Sequence, residues 1–113
     1  VHDHQWDQVQ QLRGWLDDNM ADALSGDVQL LRILKISEEL GEVAEALHGV
    51  TGANPRKGAS HSWEDVRAEL GDVILTAMVA LATVSDTPEK DLAHRLDHVV
   101  RRVLPQAQQQ QQG

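Results

Sequence analysis

Apolar residues recur along this chain at three- and four-residue steps, the spacing that lines side chains along one face of an α-helix. Trp6, Val9, Leu12, Leu16, Met20 and Leu24 follow it first, and predict a helix over residues 3–24 with those side chains inward. Gly14 sits inside that helix at a cost of about 1 kcal/mol relative to Ala. Ser25, Gly26 and Asp27 interrupt the pattern, with Asp27 in position to cap a second helix. The second helix is predicted from Val28 to about His48, with Ile33, Ile36, Leu40, Val43, Ala44 and Leu47 toward the core. Lys35, Glu38, Glu39, Glu42 and Glu45 gather on its other side, and Gly49, Thr51 and Gly52 supply the stop.

A loop from Thr51 to Ser62 follows, carrying Arg56, Lys57 and His61; loops of that length in a compact domain are often functional. Ser62, with Asp65 three residues on, reads as an imperfect capping box for a third helix, Trp63 to about Val84. Between Val73 and Ala82 this helix is apolar almost all round, which predicts a central position. Asp65, Glu69, Asp72 and Thr76 cut a narrow polar stripe along it. Thr87 and Pro88 then open a fourth helix to about Leu104, with Leu92, Leu96, Val99 and Val103 inward and Arg95, His98, Arg101 and Arg102 offering positive charge. The expected fold is all-α, a four-helix domain over residues 1–105. The Gln-rich stretch 106–113 is a low-complexity tail that builds no core.

Composition narrows the function. A chain of 113 residues supports one core. With no Tyr or Phe and three Trp, that core must be Leu, Val, Ile and Ala, which suits closely packed helices. The absence of Cys excludes disulfides and thiolate metal sites. A net charge of −8 argues against binding a nucleic acid polymer. No apolar run reaches the roughly 20 residues of a membrane span, and no basic-then-apolar leader opens the sequence, so a cytoplasmic protein without membrane contact is expected.

The carboxylates carry the chemistry. Glu38, Glu39 and Glu42 share an arc of roughly 100° on the second helix, and Glu69 and Asp72 point together from the third. Neighbouring acids at this spacing destabilise an isolated helix by a few tenths of a kcal/mol per pair. An acid flanked by apolar residues, as on the third helix, also needs a partner, because an unpaired buried charge is costly. A plain solvated acidic face explains one such cluster; two, on successive helices, point to a shared divalent cation. Oxygen-only ligands select Mg²⁺ or Mn²⁺ over Zn²⁺ or Cu²⁺. Mg²⁺ sites are commonly completed by phosphate oxygens, which makes a phosphorylated substrate and a metal-activated water the expected chemistry.

Lys35, Glu38, Glu39 and Glu42, followed by Glu69 and Asp72, form Lys-x-x-Glu-Glu-x-x-Glu and Glu-x-x-Asp. This pair resembles the signature of MazG-like, all-α nucleoside triphosphate pyrophosphohydrolases, and the likeness extends over roughly Gln5 to Leu104. The resemblance implies hydrolysis of a nucleoside or deoxynucleoside triphosphate to the monophosphate and pyrophosphate, in nucleotide-pool cleaning. It further implies that Glu39, Glu42, Glu69 and Asp72 hold Mg²⁺, with Glu38 a further ligand or the base that orients water. Lys35 would neutralise phosphate charge, or pair with Glu38 or Glu39 along its own helix. Family members often carry a Lys and an Arg one turn apart on the last helix; here the spacing falls on His98 and Arg102. Arg102 is then a polyphosphate contact or a cation favouring the helix dipole. Arg56 and Lys57 are likewise phosphate contacts or surface charge. Trp6, Trp15 and Trp63 could each stack on a base; of these, Trp6 reads as core by its amphipathic spacing, and Trp63, beside His61, as base contact or core.

Two other readings stay open. A non-catalytic helical nucleotide-binding or dimerisation module could retain the same acids. Glu45-x-x-His48 is one element of a di-iron four-helix site, but the third helix carries Asp72 where such a site needs His. Four short helices holding an acid-lined cleft open leave apolar surface to cover, so a homodimer is expected, as the resemblance also implies.

Overall fold

A computed structural model describes residues 3–19, 27–52 and 60–104. These residues contain four helices, α1 (Asp3–Asp18), α2 (Val28–Thr51), α3 (Trp63–Val84) and α4 (Pro88–Val103), and no strand. The all-α expectation holds. Met20, Leu24, Arg56, Lys57 and the Gln-rich tail lie outside the described residues. No single described helix is long and apolar enough to cross a membrane.

The third helix is central, as its apolar run predicts: α2, α1 and α4 all pack against it, α2 most extensively. Trp6 and Val9 of α1 close over Met78, Val79 and Ala82 of α3, with Leu16 and Leu81 at the margin. Trp6 is 3% exposed, which is the core role expected of it. Leu12, one turn further along α1, is half exposed, because α1 leaves a cleft on either side of it.

The second helix is turned away from the orientation its pattern predicts. Arg32, Ala46 and Gly49 are buried, and Ile36, Glu39, Val43 and Val50 are partly so, whereas Ile33, Leu40, Ala44 and Leu47 are exposed. The reason is that α2 carries two seams of alternating four- and three-residue steps, each fit to pack a neighbouring helix. One runs Arg32, Ile36, Glu39, Val43, Ala46, Val50; the other runs Leu30, Ile33, Ser37, Leu40, Ala44, Leu47. The facing seam on α3 is Val66, Glu69, Val73, Thr76, Ala80, Thr83, and it meets the first. Arg32 sets the register, its Nη1 donating to Thr83 Oγ1 at 3.0 Å and pairing with Asp17 of α1 at 2.7 Å. Thr83 is itself tied down, donating to the Val79 carbonyl at 2.8 Å.

Helix ends follow local chemistry. Gly52 stops α2 in the left-handed region, φ 69°, with its N–H donated to the His48 carbonyl, so the helix passes through Gly49. Ser62 and Asp65 form a complete capping box: Ser62 N donates to Asp65 Oδ2 at 2.9 Å, and Asp65 N to Ser62 Oγ at 3.3 Å. Asp27 precedes α2 without a side-chain capping bond, contrary to expectation, its backbone being turned out of the extended form that caps use. Pro88 takes the first turn of α4 as predicted.

The fourth helix also departs from its pattern. Leu92, Leu96 and Val103 are exposed, not inward. Ser85 and Thr87 both hydrogen-bond the Asp91 carboxylate, and α4 leaves this corner bent by 116° from α3. It cannot fold back along its neighbour, so its apolar stripe has no helix to cover it within the described residues.

Gly49 and Gly14 offer a paired test. The Ser60 N–H donates to the Gly49 carbonyl at 2.9 Å, and a Cβ at Gly49 would lie 2.0 Å from His61 Nδ1. Nothing lies within 4 Å of a Cβ at Gly14. Gly49→Ala should therefore cost about 1–3 kcal/mol by overpacking, while Gly14→Ala should gain about 0.5–1 kcal/mol from helix propensity. Urea unfolding of both variants checks the opposite signs.

Candidate metal centre

The α2–α3 seam is built with acids inside it. Counting from the Arg32–Thr83 pair down both helices, which run antiparallel, Glu39 falls level with Thr76 and one turn from Asp72. Glu69 is one further turn along the same stripe. One carboxylate oxygen from each of Glu39, Glu69 and Asp72 comes within 4.8 Å of the others, a set that could hold a metal ion. Of the three α2 acids read as one face, Glu39 is the one that meets the pair on α3.

Two features distinguish this cluster from a solvated acidic face. Glu69 Oε2 is buried without a hydrogen-bond partner, a costly state for a carboxylate oxygen unless something positive meets it. The Glu39 side chain is 14% exposed. Its carboxyl is held above the ordinary range, first by desolvation, then by the charge and hydrogen bond of Glu42, with Asp72 adding repulsion and Lys35 partly offsetting it. Donors of oxygen alone, with one oxygen unsatisfied, fit a hard divalent cation.

The remaining predicted residues stand as follows. Glu42 is exposed and is not one of the three convergent acids; it acts on the cluster through Glu39. Glu38 faces solvent and pairs with Lys35, whose Nζ lies 3.0 Å from Glu38 Oε2 and 3.8 Å from Glu39 Oε1. Both pairs are the intrahelical bridges weighed for this lysine, and they raise its pKa, the Glu38 hydrogen bond foremost. His98 and Arg102 are exposed on α4, and neither makes an ion pair with Glu39, Glu69 or Asp72 among the described residues. Trp63 is 57% exposed at the start of α3, so its core alternative does not hold.

Pattern reading passed over Arg32. Arg32 is charged and sits on a helix flank, yet it is buried because its place in the four-three seam is stronger than its polarity. The seam spacing itself was the available signal. Trp15 lines a cleft beside the acids. No family model, no curated protein and no solved structure matches the chain.

The raised pKa of Glu39 fixes the sign of a metal effect. A carboxyl with a folded pKa above its unfolded value costs stability as pH climbs through that interval, because the folded state gives up its proton less readily. Asp65, lowered by its Ser62 hydrogen bonds, acts oppositely: its contribution is present above the ordinary carboxylate pKa and is lost on acidification. Metal competes with the proton on Glu39. The rise in melting temperature on adding millimolar Mg²⁺ or Mn²⁺ in place of a chelator should therefore be larger at about pH 8 than at about pH 5. At a hundred times its dissociation constant the ion stabilises by about 2.7 kcal/mol. Melting curves identical with and without metal at both values would refute the site.

Proposed function

We propose that this protein is a Mg²⁺-dependent nucleoside triphosphate pyrophosphohydrolase of MazG type, releasing pyrophosphate and a nucleoside monophosphate. The observation that carries this reading is the convergence of Glu39 with Glu69 and Asp72 across two helices, with Glu69 Oε2 buried and unpartnered. Glu39, Glu69 and Asp72 would hold the ion, with Glu42 beside Glu39 as a further anionic group. When bound, the ion neutralises phosphate charge and acidifies water. Mn²⁺ meets the same donor set.

The chain's own groups divide the remaining work. Lys35 reaches both Glu38 and Glu39, so a cation on Glu39 releases part of its charge toward the phosphates. Glu38, on the solvent side of that lysine, is the group proposed to orient and deprotonate water. Arg102 and, when protonated, His98 would supply positive charge from α4; among the described residues neither pairs with Glu39, Glu69 or Asp72.

The second α2 seam and the α4 stripe support a homodimer. Leu30, Ile33, Leu40 and Leu47 are all exposed on one side of α2, and Leu92, Leu96 and Val103 on α4. Contiguous apolar surface of this kind marks an interaction face. A second four-three seam on the same helix fits a second copy of this chain.

Activity is tested by incubating the protein with each triphosphate and Mg²⁺ and assaying pyrophosphate against orthophosphate. Pyrophosphate is the expected direct product. Glu69→Gln and Asp72→Asn should abolish its release with helix content unchanged, and Glu38→Gln should slow it about a hundredfold or more. Nucleotide binding without turnover would favour the non-catalytic module instead, and direct orthophosphate release a different phosphatase chemistry.

Light scattering should give twice the monomer mass. Ile33→Glu, which places a charge on the outer seam and leaves the α3-facing seam intact, should shift it to monomer. A wild-type monomer at high micromolar concentration would end the dimer reading.

A further inference from the structure

A cleft of about 480 Å³ opens between α1, α2 and α3, with Trp15, Leu31, Leu75 and Val79 in its apolar wall and Lys35 and Thr76 at one edge. Those two edge residues tie it to the metal centre. Lys35 lies one turn before Glu39 on α2, and Thr76 one turn after Asp72 on α3, so the cleft continues the acidic cluster by about 5.4 Å along both helices. Its other cation, Arg32, is committed to Asp17 and Thr83.

Trp15 is 63% exposed, while Trp6 of the same helix is buried. A large aromatic left out of the core, on the wall of a concave apolar space, is a stacking surface for a planar ring. A wider groove of about 770 Å³ lies on the other side of Trp15 and Leu75, but among the described residues no charged one lines it. Of these two, the cleft with Lys35 offers both an apolar bed and a route to phosphate-binding charge. Its position also separates it from the proposed dimer face. Leu31 and Lys35 project from α2 roughly opposite Leu40 and Leu47, by the 100° turn per residue.

We propose that this cleft takes the nucleobase of the substrate, stacked on the Trp15 indole, while the phosphates reach the acidic centre past Lys35. The inference deepens the pyrophosphohydrolase reading and rests on it for the identity of the ligand. With Lys35 and Thr76 the polar groups at hand, hydrogen-bond readout of base edges is sparse, and all four bases should be accepted with preferences of stacking strength.

The test uses ATP, GTP, CTP and UTP beside inorganic tripolyphosphate, which has no base, with Mg²⁺ throughout. Trp15→Ala should raise KM for the nucleotides about 5- to 150-fold with kcat little changed. Trp15→Phe should recover most of the loss, and tripolyphosphate cleavage by either variant should match wild type. In parallel, ATP should quench indole fluorescence in the wild type, and the quench should vanish in Trp15→Phe. Unaltered nucleotide KM in Trp15→Ala, alongside an active wild type, would overturn the cleft assignment and leave the hydrolase reading standing. A wild type inactive on every triphosphate, with a quench that depends on Trp15, would do the reverse. Loss of tripolyphosphate cleavage equal to that of ATP would assign Trp15 a purely structural part and end the proposal.

Discussion

The structure depends on a single constraint: α2 and α3 pack through a seam that is not wholly apolar. Arg32, Glu39, Glu69, Thr76 and Thr83 occupy seam positions that Leu or Val would normally fill. At one end the polar groups satisfy each other. Arg32 is 8% exposed, but Asp17 and Thr83 meet its guanidinium, so its charge is compensated within the protein. Toward the middle, among the described residues, the acids meet other acids and Lys35. The seam thus holds one balanced polar layer and one unbalanced one. A balanced layer fixes how two helices sit; an unbalanced layer stores a demand for positive charge. Separating the two along one interface lets the register be set without drawing on the acids that could hold a metal ion.

Much of the fold was legible because helix signals are local. The capping box at Ser62, Pro88 at the start of α4, the stop at Gly52 and the apolar run of α3 each rest on residues within a turn or two of one another. The facing of Glu39 toward Glu69 and Asp72 was legible too, since one polar stripe on an apolar helix has few places to point. What failed was the choice between faces. The α2 sequence contains two seams, and the inward set of Ile33, Ile36, Leu40, Val43, Ala44 and Leu47 mixed them: Ile36 and Val43 belong to the buried seam, the other four to the exposed one. Hydrophobicity favoured Ile33, Leu40 and Leu47; the packing partner favoured Ile36, Val43 and Ala46, because their flank also carries Arg32 and Glu39. The outward stripe of α4 was illegible for another reason: nothing in Leu92, Leu96 and Val103 encodes the angle at which a Ser85–Asp91 corner releases the helix.

These misplacements share a physical origin. A chain with so few aromatics builds a core from small and medium side chains, and that core forms where α3 is in reach of α1 and α2. Beyond that reach, apolar stripes on α2 and α4 remain uncovered. Burying them would require α4 to lie back along the bundle or a partner to lie against α2. The corner at Ser85 and Thr87 opposes the first arrangement, since both side chains hold Asp91, in the first turn of α4.

The polar layers also answer why the seam does not slip. Two four-three seams of Val, Leu and Ala would pack almost equally well if one helix moved along the other by a full repeat, since each knob finds a similar hole. Here a shift in either direction separates Arg32 from Thr83 and moves it relative to Asp17, leaving a guanidinium in the seam without its partners, which costs far more than the apolar contacts regained. Slippage would also carry Glu39 away from Glu69 and Asp72. The arginine that pins one end therefore sets the spacing of the acids at the other, about two helical turns away. The accuracy of the acidic cluster is a property of the register, and the register is held about two turns away, at Arg32.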